Sequence, residues 1–384
     1  MYRAIEIIKL SYAIRWISRN FYFLIWAALI FFVFQYGMEI SKGGNEWKTG
    51  DWLINYESGP VRRGFFGQIV IYLASLGGDL KWIVFFIQSI AYVAIYYLVI
   101  KIYFMRQRNY AWYIFIFSPA FLFFPLFDIQ GGFRKEILQF LSFSIIAYYY
   151  AVNRLNIKNI FLAYLIYLIA VFSHELNAMA LPFYLYVFYR SACLGNLRPR
   201  FSIIFSVLFF STSVFAFIFS IKFPGSVYVS DGICQSLVSR GLNRDICAGA
   251  IEWLRYDLKY GQKIVFGLVS EYVFYLPIFI IAVAPVFFTN WARGLSLILL
   301  IVGFIFFIPL YFVAIDWGRW IYIYVFMVFV LVLSESVFSK IDIKPLPVWF
   351  VGVYLITWSI PHCCSNRPMF GWIEWIWSFS QKIT

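Results

Sequence analysis

Charged side chains are scarce in this 384-residue chain. Asp, Glu, Lys and Arg make up 13% of it, about half the share in a soluble domain. Hydrophobic residues take 63%, against about 45–50% in soluble proteins. A surface facing water on all sides cannot be built from that composition, which excludes a soluble globular enzyme. Other absences narrow the field further. No stretch shows the alternating strands of about 10 residues that an outer-membrane barrel requires, and runs such as Trp82 to Ile100 are almost continuously apolar. Neither a Walker loop nor a dinucleotide fingerprint is present, so ATP and NAD are unsupported and no cofactor is expected. The five cysteines and two histidines occur at no spacing that points to zinc. No internal repeat, Pro-rich linker or low-complexity segment divides the chain, and residues 1–384 read as a single membrane domain.

What is abundant is long apolar sequence. Eleven segments have the length and composition of membrane helices, at 21–38, 82–100, 110–126, 137–152, 159–173, 176–190, 201–221, 271–289, 295–314, 321–338 and 347–361. At about 20 residues per crossing they occupy most of the chain. The expected fold is an all-α, polytopic transmembrane bundle. The opening stretch, with Arg3, Lys9, Arg15 and Arg19 among Ile5, Ile8, Tyr12 and Trp16, reads as an interfacial amphipathic helix. The segment from Phe65 to Gly78 is too short to cross and ends in two glycines, which predicts an interfacial or re-entrant helix.

Orientation follows from the basic residues. With the N-terminus inside and the C-terminus outside, every short inner loop carries Lys or Arg, as the positive-inside rule requires. Fifteen of the 31 Lys and Arg then lie inside, with only Glu6, Glu335 and Asp342 of the 18 acidic residues. The net charge of +13 is thereby explained by topology. The basic residues form no long run or Gly-rich reader motif, and no nucleic-acid partner is expected. Two outer segments are long, 39–81 and 222–270. The second contains Cys234 and Cys247, which in an oxidising compartment would close a small loop with about 3 kcal/mol of ordering, or would otherwise remain free thiols. Cys193 falls inside, and adjacent Cys363 and Cys364 are not expected to bridge each other.

Polar residues gather at the outer face. Asp51, Glu57, Arg62, Arg63 and Gly64 form one cluster; Asp128, Gln130, Gly131, Gly132, Arg134, Lys135 and Glu136 a second; His174 and Glu175 a third; Asp316 and Arg319 a fourth; and His362 lies near the last span. Ionisable groups near bilayer depth are costly unless they pair, line water or bind something. Arg62 and Arg63 before Gly64, and Arg134 and Lys135 after Gly131 and Gly132, combine fixed cations with close backbone approach. Those are the requirements of a diphosphate site. The plainer alternative is interfacial snorkelling. His174 or Glu175 has the chemistry of a base for a sugar hydroxyl, or else His174 caps a helix and Glu175 neutralises Arg134 or Arg319. Asp51, Glu57, Asp128 and Asp316 offer a base, metal ligands or neutralisation of neighbouring arginines, and Asp316 and Arg319 are spaced to pair on one helix face. Trp47, Trp52, Tyr56, Trp317 and Trp320 fit sugar stacking or, more simply, an interfacial aromatic belt. Ser41 to Gly50 has the composition of a mobile loop leading to Asp51.

The order of Tyr56–Gly64, Gly131–Glu136, Ser173–Glu175 and Asp316–Trp320 on an aromatic multispan chain resembles the O-antigen and capsular polysaccharide polymerases of the Wzy type. The resemblance implies an enzyme of the bacterial inner (cytoplasmic) membrane with its active site facing the periplasm. Such an enzyme polymerises undecaprenyl-diphosphate-linked oligosaccharide repeats without a metal, and acts alongside a flippase and a chain-length regulator in the bilayer. On that analogy Arg62, Arg63, Arg134, Lys135 and Arg319 bind the leaving diphosphate, and His174 or Glu175 is the base, with Asp51 a further catalytic candidate. One long outer loop with two cysteines departs from the two arginine-rich loops of some polymerases. A GT-C glycosyltransferase adding one sugar from a polyprenyl-phosphate donor is the alternative, because that class places an acidic residue, often metal-associated, where Asp51 lies; GT-C-like architecture therefore remains open. A lipid-linked oligosaccharide transporter would need charges in the middle of spans, whereas the charges here sit at span ends.

Overall fold

The computed structural model describes residues 19–377 apart from 340, 366–368 and 375, and omits the side chain of Tyr272. Most of the opening amphipathic segment, including Arg3, Lys9, Arg15 and Trp16, lies outside the described residues. Within them the regular structure is helical, and the only β features are two isolated bridges. The longer helices are α1 (Phe21–Ser41), α2 (Gly64–Ser75), α3 (Leu80–Phe104), α4 (Glu136–Ala151), α5 (Ile157–Ser173), α6 (Leu181–Cys193) and α7 (Pro199–Lys222). They are followed by α8 (Val227–Ser239), α9 (Leu258–Gly267), α10 (Tyr272–Phe287), α11 (Leu295–Phe307), α12 (Trp317–Phe338) and α13 (Val348–Ile356).

Among the described residues, six helical runs are long and apolar enough to cross a membrane: α1, α3, α7, Val269–Phe287, Leu295–Val313 and α12. Their outward faces carry bare apolar side chains such as Phe23, Ile30 and Phe34 on α1 and Ile203, Val207 and Phe210 on α7, a surface suited to lipid rather than water. Helix α2 has twelve residues, hence a length of about 18 Å, too short for a hydrocarbon core of about 30 Å.

Several segments expected as single crossings take other forms. Residues 110–126 are broken into a 3-10 turn at Tyr110–Trp112 and short helices at Tyr113–Ile116 and Phe124–Phe127. Pro119 and Pro125 remove the amide donors a continuous helix would need. Their irregular backbone is buried in protein, where Tyr96 donates to the Leu122 carbonyl and Ser118 shares a hydrogen bond with Tyr354 at 3.2 Å. Such backbone is tolerated at depth only when satisfied in this way. The 176–190 segment begins as a 3-10 turn and becomes α-helical at Leu181, where Pro182 suits the first helical turn. Helix α13 covers only part of 347–361, because the residue before Pro361 is disfavoured in helical conformation.

Helix α12 is the axis of the fold. Every residue from Trp317 to Ser336 is buried, so its all-round apolar sequence reflects a protein environment on every side. It packs against α3, α4, α10 and α11. Buried charges mark its two ends, Arg319 and Glu335, which sixteen residues of helix separate by about 24 Å. At the far end the Glu335 carboxylate accepts from Tyr150 at 2.8 Å, Tyr186 at 3.1 Å, Trp291 Nε1 at 2.5 Å and Arg190 Nε at 3.3 Å. One carboxylate thereby joins α4, α6, α12 and the loop before α11. Arg106 and Arg108 donate to the last carbonyls of α12, including Ser336 at 3.0 Å and Leu333 at 3.0 Å, where cations also favour the helix dipole.

Residues 39–81 and 222–270 fold together into a cap. Glu57 pairs with Arg240 at 2.6 Å, the Ala250 amide donates to the Glu46 carbonyl at 3.3 Å, and Cys234 on α8 is disulfide-bonded to Cys247. Replacing Glu335 with Ala removes the acceptor of a half-buried guanidinium, a buried indole and two buried phenols, which should cost about 1–3 kcal/mol. Thermal unfolding in detergent should show a lower midpoint for Glu335→Ala than for wild type. Identical midpoints would mean that this carboxylate does not hold the far end together.

Candidate functional site

The cationic motifs owe their positions to backbone geometry. Arg63, the residue before α2, has φ of 67°, and Phe133, before Arg134, has φ of 54°. Both lie in the left-handed region that non-glycine residues enter at a cost of about 1–2 kcal/mol. Both are held there by side chains from distant segments. The Arg63 carbonyl accepts from Lys135 Nζ at 2.9 Å. The Phe133 carbonyl accepts from Trp52 Nε1 at 3.0 Å and Gln88 Nε2 at 2.8 Å. Gly318 permits a third approach, because a Cβ there would lie 1.8 Å from the Pro361 carbonyl oxygen. The Arg319 amide consequently donates to the His362 carbonyl at 3.3 Å.

The charged residues of four separate segments meet on this frame. Arg63 grips Glu175 with Nε at 3.2 Å from Oε2 and a terminal nitrogen 2.9 Å from Oε1, while Arg62 lies 3.5 Å from the same carboxylate. Lys135 lies 3.5 Å from Asp51, with its ammonium buried. Arg319 is flanked by Asp316 at 2.7 Å and by Glu136. His174 is buried beside Glu175, its Nδ1 3.7 Å from Oε2. Asp128 accepts from the His362 amide at 2.6 Å and lies 2.8 Å from His362 Nδ1. Glu57 alone of the singled-out carboxylates stands apart, paired with Arg240 in the cap.

Arg134 differs from the other cations. It is 6% exposed, and among the described residues it makes no hydrogen bond or ion pair. Its guanidinium lies 5.2 Å from the Trp47 ring centroid, within cation–π range. Arg62, Arg63, Arg134, Lys135 and Arg319 share the cluster with Asp51, Glu136, Glu175 and Asp316, so cations outnumber carboxylates by one. Among the described residues, the buried atoms here without a hydrogen bond are the donors Arg134 Nε, Arg62 Nε, Arg319 Nε and Trp320 Nε1 and the acceptors Asp51 Oδ1, Glu136 Oε2 and His174 Nδ1. A site with excess positive charge and unused donors has the chemistry of an anion receptor. The void between Tyr92, Arg134, Glu136, Arg319 and Tyr322 is about 10 Å³, room for about one water; the site is closed in this conformation. A larger cleft of about 580 Å³ lies in the cap, beside the disulfide.

Protonation divides the candidates. Burial, with Arg63, Arg319 and Lys135 nearby, holds His174 well below the usual histidine range despite Glu175, so its imidazole is neutral at pH 7. Burial works against ionisation of Glu175, but Arg63, His174 and Arg62 outweigh it and hold the carboxyl well below its usual range. Burial pushes Lys135 down to about 8 against the pull of Asp51. For His362 burial opposes the charge, but Asp128 prevails, with Cys363 assisting, and the value rises to about 10.

Several participants were not assigned roles from sequence. Glu136 was quoted within its motif, yet its pairing with Arg319 depends on how α4 meets α12. Gln88 is a lone amide in an apolar span, a signal that was readable. Lys48, buried against Glu39, had no sequence signal beyond its charge. Among the described residues, no three His, Cys, Asp or Glu side chains are grouped to hold a metal ion. Comparison of the chain with protein families, curated proteins and solved structures gives no match.

The two histidines give opposite pH signatures. An unfolded histidine titrates near 6.5; folded His174 refuses that proton, so its contribution to stability is present above pH 6.5 and lost as pH falls. The contribution of His362 is present below pH 6.5 and is lost as pH rises toward 10. Unfolding midpoints in detergent should therefore fall from pH 7 to 5.5 in wild type and flatten in His174→Gln, while His362→Gln flattens the range from pH 7 to 9. A wild-type acid slope retained in His174→Gln would rule out a buried neutral imidazole.

Proposed function

We propose that this chain is a glycosyltransferase of the bacterial inner membrane that polymerises undecaprenyl-diphosphate-linked oligosaccharide repeats at the periplasmic face. In this reading the N-terminus is inside, the cap of residues 39–81 and 222–270 faces the periplasm, and about eleven segments enter the bilayer. The observation that carries the proposal is the buried Arg134 without an anionic partner, inside a cluster one positive charge in excess. A lipid diphosphate is the ligand whose charge and position at the membrane surface answer that excess.

In this reading the residues have separate tasks. Glu175 is occupied by Arg62 and Arg63 and is a poor base; it fixes the two guanidinium groups. His174 is neutral with an unpartnered Nδ1, and the negative charge of a bound diphosphate raises its lowered basicity so that this lone pair accepts a proton. The acceptor hydroxyl gives its proton to His174 as its oxygen bonds to the anomeric carbon of the donor sugar. The bond from that carbon to the diphosphate oxygen breaks, and its electron pair leaves on the diphosphate. Arg134, with Arg319 behind it, stabilises the charge that develops there, the kind of interaction worth about 3 kcal/mol in turnover. Lys135 and Asp51 tie the two cationic motifs together. Admission of a substrate requires the closed site to open, and in this reading the Trp47 side chain over Arg134 swings away while Lys48 and Thr49 stay packed.

The test is the glycan ladder of cells lacking the gene and carrying variants. Deletion should leave a single repeat on the lipid core, and Arg134→Ala should do the same at normal protein level, with turnover down about 100-fold or more. Arg134→Lys should restore a weak ladder. Loss of one sugar or branch with the ladder preserved would instead indicate a single-sugar transferase, and an unchanged ladder in Arg134→Ala would remove the diphosphate site.

A further inference from the structure

A row of aromatic rings leads from the unpaired cation to the outer surface. Arg134 lies under Trp47; the Trp47 and Trp253 rings are 6.1 Å apart, Trp253 and Tyr260 6.2 Å, and Tyr256 and Tyr260 are stacked at 4.3 Å. Trp47, Trp253 and Tyr256 are half-buried and Tyr260 is 42% exposed, and they belong to the cap, which salt bridges and the disulfide tie together. The 3-10 turn Glu252–Arg255 that carries Trp253 also lines the 580 Å³ cleft, a volume in the range of small-ligand sites. Asp231, Gln235, Arg244, Asp245, Glu252 and Arg255 bring carboxylates, an amide and guanidinium groups to its wall. Amphipathic ring faces followed by a wall of planar hydrogen-bonding groups form a surface for pyranose rings and their hydroxyls, rather than for acyl chains or peptide.

We propose that Trp47, Trp253, Tyr256 and Tyr260 form a saccharide track that holds the oligosaccharide of a lipid-linked substrate, starting at the phosphate-binding Arg134 and running to the 3-10 turn that borders the cap cleft. This rests on the proposed function and deepens it: the diphosphate fixes one end of the substrate, and the track fixes the sugars attached to it. The cap thus carries affinity for the glycan while the buried cluster carries the chemistry, so the two parts are separable by kinetics.

The experiment uses purified full-length protein and the lipid-linked single repeat extracted from the deletion strain. Trp253→Ala and Tyr260→Ala should raise KM about tenfold and leave kcat within about twofold, and Trp253→Phe should stay near wild type because a ring is retained. The delipidated repeat, released by mild acid, should quench wild-type tryptophan fluorescence saturably and quench Trp253→Phe less. These last two measurements stand if an alanine variant fails to fold. Unchanged KM in both alanine variants, or absence of saturable quenching in wild type, overturns the track. If Arg134→Ala is inactive in the same assay, that failure leaves the proposed function standing; if Arg134→Ala turns over normally, the proposed function itself fails.

Discussion

Burying charge is expensive, and this fold does so repeatedly at one place. An isolated guanidinium or carboxylate taken from water into a protein interior costs several kcal/mol unless it is paired and hydrogen-bonded. Arg63 is offset by Glu175, Lys135 by Asp51 and Arg319 by Asp316 and Glu136. Apart from Asp316 and Arg319, which are one helical turn apart, these pairs join segments far apart in the chain, so the loop before α2, α4, the α5–α6 turn and α12 are positioned by the requirement that no charge be left alone. Among the described residues Arg134 is the exception, and in the proposed function an anionic ligand completes it.

The same requirement accounts for the backbone. Arg63 and Phe133 hold left-handed conformations that relaxed chains avoid, and each carbonyl is secured by donors from another motif. Lys135 serves both ends, pairing with Asp51 and donating to Arg63. The cationic motifs are therefore one mechanical unit. Disturbing Asp51 or Gln88 would move arginines that neither residue touches.

Part of this was legible in the sequence. Apolar runs announced helices, and the polar clusters around Arg63, Arg134, His174 and Arg319 stood out because their surroundings are almost free of charge. What sequence could not supply was the pairing, since Glu136 meets Arg319 and Asp128 meets His362 only through the packing of α4, α12 and the chain after α13. The irregular core at 110–127 was also hidden: its apolarity matches a span, and the two prolines that break it are visible only as punctuation. Trp253 looked like any cap aromatic, and its neighbours, Trp47 and Tyr260, come from the other loop and from α9. Apart from those two prolines, the features that were not legible share one cause, that long-range contacts between segments leave no local signal.

The central claim is that the buried cluster is one negative charge short of balance at Arg134 and takes up a lipid-borne diphosphate. Its most direct measurement is the phosphorus NMR spectrum of undecaprenyl diphosphate titrated with purified protein in detergent. The account predicts a shifted or broadened pair of resonances that saturates with wild-type protein, reverts to the free signal with Arg134→Ala, and persists with Glu57→Gln. A spectrum that responds equally to wild type and Arg134→Ala would contradict it.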